Sequence, residues 1–231
     1  MRAPGIVGFS QYDKLYADVE RWLAKGWLDY LAPQLYWPLD RPGQAFEPLL
    51  AHWLAHNPLR RHVWPGLFTS MVGAAQGSGS NTTPWTAAEV LQQVERVRVR
   101  QAQGADGHIH FSMSALMQDR DGIATWLRAG PYAQPALAPA APVQSARAPS
   151  APSWRRDAGG ALLVEPAAGE PVFVWSVWRR REGEWRFEVH PAVGPVGLSA
   201  VGPLRLSAAG DLLVVRAVDA HGSEGEAVVL R

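Results

Sequence analysis

Gln34, Tyr36 and Trp37 close an apolar run, "GWLDYLAPQLYW", that starts from a polar-capped turn. Two later apolar segments end in a similar way. "HVWPGLF" carries Trp64 and runs on to Thr69 and Ser70, and "GHIHFSM" ends in His110, Ser112 and Met113. Aromatic faces stack on the apolar faces of sugar rings, while amides and hydroxyls exchange hydrogen bonds with sugar hydroxyls. A pocket rich in both suits a glycan better than a phosphate or a flat cofactor. Each aromatic also has a packing alternative, as filler between layers. Gln34, polar and set between Pro33 and Leu35, points to a pocket more strongly than to packing.

Hydrolysis of a glycosidic bond ordinarily needs two carboxylates flanking the bond. Asp29 and Asp106 each precede a strand candidate, the wrong end for catalysis in a parallel α/β architecture, where ligands sit at the C-terminal strand ends. Asp119 and Asp121 follow the third strand and suit a helix cap. Asp40, in the loop "WPLDRPG", is the one weak catalytic candidate, and one carboxylate is not a pair. His108 and His110 alternate along a strand and so share a side. No third ligand stands at a recognisable spacing, so a packed or pocket-wall role is expected and no metal. "GAAQGSGSNT" is Gly-rich but lacks the G-x-x-x-x-G-K pattern and reads as a mobile loop; no G-x-S-x-G is present. No cofactor is expected.

The elements that would position these residues alternate. Leu15, Val19, Trp22 and Leu23 recur at helical spacing before Gly26, a C-cap residue type. A strand over Leu28–Tyr36 follows. Phe46–Ala55 is helical, with Leu49, Leu50, Trp53 and Leu54 on one side. "TAAE", Thr86–Glu89, has the form of a capping box for a helix carrying Val90, Leu91, Val94 and Val97. A last helix is expected over Asp121–Arg128. With strands at His62–Phe68 and Gly107–Met113, the order is α-β-α-β-α-β-α, as in a parallel α/β fold.

From Pro131 to Ser153 the chain reads "PYAQPALAPAAPVQSARAPSAPS". Proline at this density blocks helix and central strand, giving a semi-extended linker over 131–153 between a domain at 1–130 and another at 154–231. Beyond it, six or seven short segments separated by Gly, Pro, Asp and Glu turns predict a small antiparallel β-sandwich. Trp185, Phe187 and Val189 alternate with Arg186 and Glu188, as in a half-buried strand.

The 231 residues suffice for two modest domains, and 47% hydrophobic with 19% charged residues is globular. A net charge of +1, with Lys14 and Lys25 the only lysines, gives no reason to expect nucleic acid or an anionic membrane as partner. The absence of cysteine removes disulfides and thiolate metal sites. No signal-peptide h-region and no membrane-spanning run is present, so the chain as written is expected to be soluble and unexported.

"LYADVERWLAKGWLDYLAPQLYW", "VWPGLFTSMVG" and "GHIHFSMSAL", in this order and spacing, resemble the glycosyl-hydrolase-like family 10 proteins of the YngK type. The segment "LLVVRAVDAHGSEGEAVVL" resembles the last two strands of a fibronectin type III domain. The resemblance implies the C-terminal portion, about strands six to eight, of a (β/α)8 TIM-type barrel. It also implies bacterial relatives that are secreted or envelope-attached and act on glycan strands such as peptidoglycan; otherwise the chain is cytoplasmic. By position, Gln34, Tyr36 and Trp37 end strand six, Trp64 to Ser70 form strand seven and its loop, and His108 to Met113 form strand eight. Met71 stands where relatives often carry Arg. The family's acidic "HFDDYFYP"-like segment has no counterpart here. Three βα units cannot close an eight-stranded barrel. The first domain is therefore expected to be completed by another chain, to be only marginally stable, or to be the tail of a longer reading frame, of which the last is preferred. Two functions follow: a glycosidase fragment that binds substrate without the catalytic pair and is inactive alone, or a non-catalytic carbohydrate-binding or protein-interaction protein using the β-sandwich.

Overall fold

In the computed structural model, residues 3–74, 83–141, 147–192, 203–207 and 210–231 are described. Most of the Gly/Ser-rich loop (75–82) and part of the Pro/Ala-rich segment (142–146) lie outside them. The chain divides into two compact units, Met1–Ala133 and Gln134–Arg231.

Unit 1 contains helices α1 (Gln11–Leu15), α2 (Val19–Lys25), α3 (Phe46–Ala55), α4 (Ala87–Arg98), α5 (Met113–Met117) and α6 (Ile123–Ala129). Its strands are β1 (Tyr30–Leu31), β2 (His62–Val63), β3 (Gly66–Leu67) and β4 (Ile109–His110). The first helical stretch breaks into two because Tyr16 turns left-handed at φ 54° and Asp18 caps α2 through Arg21 N–H. Gly26 ends α2 in the left-handed region, φ 70°, a conformation that costs glycine least. Among the described residues all strand pairings in this unit are parallel. β1 pairs with β2, Gln34 bridges Gly66, and β3 pairs with β4, so the chain around His62–Leu67 is central. The strands are shorter than the sequence predicts; Pro33, after β1, and Pro65, between β2 and β3, cannot donate to a ladder. Carbonyls of both prolines nevertheless accept, from Gly66 N–H and Ile109 N–H.

Alternation divides this small sheet into two faces. Leu35, Val63 and Leu67 join Phe46 and Leu50 of α3, Val90, Val94 and Val97 of α4 and Ile123 and Leu127 of α6 in a continuous core. The capping box expected at the start of α4 does not form. Thr86 is the N-cap without a side-chain bond, and Ala87 N–H donates instead to Asp121. Glu89 is diverted to longer-range bonds, accepting from Leu39 N–H and from the Gln93 amide, which also donates to the Trp37 carbonyl. The loop after the first strand is thereby braced to α4.

Unit 2 is a sandwich-like pair of antiparallel sheets. β5 (Ser153–Arg156), β6 (Leu162–Glu165) and β9 (Leu204–Leu206) form one in the order β5-β6-β9. β7 (Val174–Arg181), β8 (Glu184–Pro191), β10 (Leu212–Val218) and β11 (Glu224–Leu230) form the other in the order β11-β10-β7-β8. Leu162, Val164 and Leu206 from the first sheet and Trp175, Val177, Leu213, Val215 and Leu230 from the second make one core. Parts of the Pro/Ala-rich segment run along this unit: Ala141 N–H donates to the His221 carbonyl, and Ser150 donates twice to Glu170.

The alternation read in β8 turns out the other way round. Register pairs Trp185 with Arg180, Phe187 with Trp178 and Val189 with Ser176, all on the side away from core residues Trp175 and Val177. Phe187 and Trp178 touch, with ring centroids 4.8 Å apart. The core-side positions of β8 instead carry Glu188 and His190. Glu188 bonds Arg179, which also reaches Asp211 at 2.9 Å. Ion pairing lets this edge accept charge where the sequence pattern leads one to expect apolar residues. Among the described residues no helix is long and apolar enough to cross a membrane.

Candidate functional site

The three parallel segments deliver aromatic rings to their C-terminal ends. Tyr36 lies two residues beyond Gln34, Phe68 two beyond Gly66, and Phe111 two beyond Ile109, so all three leave the sheet on the face opposite the helices. Tyr36 stacks on Phe68 at 4.6 Å and on Phe111 at 5.4 Å, with interplanar angles of 20° and 25°. Gly66 makes room for this: a Cβ there would stand 3.0 Å from Tyr36 Cε1. Phe68 meets Trp85 edge-on, which anchors the stack to the core. Phe111 remains half exposed, at 50%.

Hydroxyls border these rings. Backbone bonds from Phe111 N–H to the Leu67 carbonyl and from Ser70 N–H to the Phe111 carbonyl lock the two strand ends together. Ser70 Oγ then accepts from Ser112 N–H at 2.8 Å and lies 3.1 Å from Ser112 Oγ, which is 3.0 Å from Ser114 Oγ. The Ser70 carbonyl accepts from Arg120. A file of three serine hydroxyls beside three stacked rings matches the amphipathic surface of a sugar.

Thr69 and His110 belong to the other side of the sheet. Thr69 is fully buried, and its hydroxyl lies 2.7 Å from His110 Nδ1. His110 Nε2 meets the Tyr132 hydroxyl at 2.7 Å, and His108 Nε2 bonds the same oxygen. Burial lowers His110 to about 4, and burial with the neighbouring His110 and Arg98 lowers His108 to about 4. Burial pushes Tyr132 up to about 12. At pH 7 both imidazoles are neutral, so each carries one proton, and His110 donates to one of Thr69 and Tyr132 and accepts from the other. The chain ties the end of β4 to the segment after α6.

Gln34 is exposed on the ring-bearing face, and Trp37 is half-buried with its carbonyl held by Gln93. Asp40 is exposed in the turn that follows. Trp64 sits apart. Its ring stacks between Tyr30 at 4.8 Å and His62 at 5.2 Å, its indole N–H donates to Asp106 at 2.8 Å, and Asp106 also pairs with His62. These partners gather at the start of the strands, so Trp64 does not join the Tyr36 group. Asp119 is a cap: it accepts from Ala124 N–H, Thr125 N–H and the Thr125 hydroxyl, which hold its carboxyl below the ordinary range. Phe111, Ser114 and Tyr132 are the residues sequence reasoning left out. For Phe111 the signal was available in the two-residue alternation from Ile109; for Tyr132, inside a proline-rich segment, there was none.

The chain is 32% identical over 162 residues to the glycosyl hydrolase YngK of Bacillus subtilis (strain 168), covering 68% of this chain and 30% of that protein. It is 41% identical over 68 residues to the glycosyl hydrolase DigH of Escherichia coli (strain K12), covering 29% of this chain and 15% of that protein. The same figures hold for DigH of Shigella flexneri. No protein-family model matches. The chain thus spans less than a third of the length of these relatives, and its similarity is to glycosyl-hydrolase-like proteins.

Proposed function

We propose that this chain supplies one sugar-binding wall of a glycosyl-hydrolase-like protein acting on bacterial glycan strands, peptidoglycan or a related polysaccharide, without itself supplying the catalytic carboxylate pair. Residues 1–130 are then about strands six to eight of a (β/α)8 barrel, 131–153 a linker and 154–231 a fibronectin type III-like module. The observation that carries this reading is the Tyr36–Phe68–Phe111 stack flanked by the Ser70, Ser112 and Ser114 hydroxyls at the C-terminal ends of parallel strands. Similarity to the two named glycosyl hydrolases supports the same substrate class. Gln34, Tyr36, Trp37, Ser70 and Ser112 contact the glycan, while Trp64, Thr69 and His110 hold the wall. Among the described aspartates, Asp106, Asp119 and Asp121 are engaged in structural bonds. The purified chain is expected to bind glycan strands and release no sugar from them. Measured hydrolysis, abolished by Asp40→Asn, would overturn the non-catalytic assignment.

A second reading has its own observation. The outward face of the four-stranded sheet presents Trp178, Trp185 and Phe187 beside Arg216 and Glu224. A binding module could hold its ligand there. Glycan binding that survives Tyr36→Ala and is lost in Trp178→Ala would favour it.

A further inference from the structure

On the other side of unit 1, α2 and α3 bring together Glu20, His52 and His56, whose ligand atoms all lie within 4.8 Å of one another. His52 and His56 are four residues apart at the end of α3, so their rings share one face, with centroids 4.3 Å apart. Glu20 comes from α2, and its Oε1 is 3.0 Å from His52 Nε2. His56 Nδ1 lies 2.8 Å from the His52 carbonyl oxygen. A carbonyl can only accept, so Nδ1 carries the proton and Nε2 keeps its lone pair. Fixing an imidazole tautomer through a backbone carbonyl is how proteins orient metal-binding histidines. The cluster is also sheltered, with the His52 side chain 9% and that of Glu20 19% exposed.

We infer that Glu20, His52 and His56 form a binding site for a divalent transition-metal ion of the zinc type, clamping α2 to α3. Two imidazoles and a carboxylate suit zinc and its neighbours, whereas calcium and magnesium take oxygen ligands. Bonds of about 2.0–2.1 Å in tetrahedral arrangement need ligand atoms roughly 3.3 Å apart, which the Glu20–His52 pair already approaches. Small adjustment of side chains already within 4.8 Å of one another supplies the rest, with the His56 Nδ1 bond to the His52 carbonyl kept. Three protein ligands leave a fourth position for water or an external group. The ion would sit with the outer helices and not with the aromatic stack, so its presence is independent of the glycan reading.

The test uses the full chain without a histidine tag. Titration with Zn2+ followed by calorimetry is expected to give one equivalent bound, and Co2+ to give the visible absorption of a four-coordinate nitrogen–oxygen site. Zn2+ should raise the melting temperature of unit 1, reversibly on chelation. His56→Ala and Glu20→Gln should each weaken binding at least tenfold, and His221→Ala in unit 2 should leave it unchanged. Two variants on different helices guard against the misfolding of one, and circular dichroism reports folding for both. Failure of the folded wild-type chain to bind Zn2+, or binding undiminished in folded His56→Ala and Glu20→Gln, overturns the site.

Discussion

Unit 1 and unit 2 use sheet in opposite ways. The parallel strands of unit 1 are two residues long and are covered by helices on one face, while the strands of unit 2 reach eight residues and close a core between two sheets. An antiparallel strand finds its partner across a short turn, whereas a parallel one waits for a crossover. Parallel sheets are ordinarily covered on both faces. In unit 1 the face opposite the helices leaves Tyr30 and Phe111 each 50% exposed. In unit 2 the outward face leaves Trp178 and Trp185 each 40% exposed, although the core beneath is complete. In both units some aromatic side chains lie on the face away from the aliphatic core, while others, Phe46 and Trp85 in unit 1 and Trp175 in unit 2, are buried in it. Their residue type alone therefore says little about burial, and the face they occupy says a great deal about ligands.

Damage to each core separately should distinguish the two units most strongly. Phe46→Ala in unit 1 should cost about 3–5 kcal/mol and Leu213→Ala in unit 2 about 2–5 kcal/mol, because both side chains are fully buried. Calorimetry of the full chain should resolve two transitions, with each variant lowering only one. A single transition displaced by both variants would show the units to be one cooperative body.

Acid should separate the units next. His108 and His110 are held near 4 in the folded state against an ordinary value of 6.5. The unfolded chain therefore takes up protons first as pH falls, and unit 1 loses stability from about pH 6.5 down to about 4, then levels off. In unit 2, hydrogen bonding from Arg179, opposed by burial and helped by Arg181, holds the Asp211 carboxyl below the usual carboxylate range. That stability is complete above the unfolded value of about 3.9 and is lost only below it. Between pH 6.5 and 4 the first transition should move down by several degrees while the second stays. Equal movement of both would remove the imidazoles as the cause.

Much of this division could be read from the chain. The helix at Phe46–Ala55, the Gly26 cap and the three parallel segments follow from periodicity and residue type. What stayed hidden depends on partners far apart in sequence. Glu89 looks like a capping-box residue, but Leu39 and Gln93 claim it. Trp64 looks like a pocket residue, but Asp106 takes its N–H. His52 and His56 show a readable four-residue spacing, yet their third companion lies 32 residues upstream on another helix. In β8 the alternation is legible, but period two cannot say which face meets the core, and register puts Trp185, Phe187 and Val189 on the side away from it.

A finer test concerns the stack in unit 1. Tyr36→Ala removes the ring on which both Phe68 and Phe111 stack, and one aromatic contact is worth about 0.5–1.5 kcal/mol. Affinity for glycan strands should fall about tenfold, as judged by calorimetric titration. Ser112→Ala should do less, because Ser70 and Ser114 keep hydroxyls beside the ring.

The smallest effect is expected where residue type predicts the largest. Trp185→Ala deletes a bulky aromatic from a long strand, a change that in a core costs about 3–5 kcal/mol. Trp185 faces outward, however, and the Arg180 guanidinium carbon lies 6.0 Å from its ring centroid. An exposed cation–π contact contributes about 0.5–1 kcal/mol, so denaturation of the full chain should show a loss of about 1 kcal/mol or less in the second transition. Trp175→Ala, three residues before Trp178 on the neighbouring strand but 2% exposed and inside the core, should cost the full amount. Two tryptophans of one sheet with equal losses would mean that its outward face is covered, and the contrast between the two faces of unit 2 would disappear.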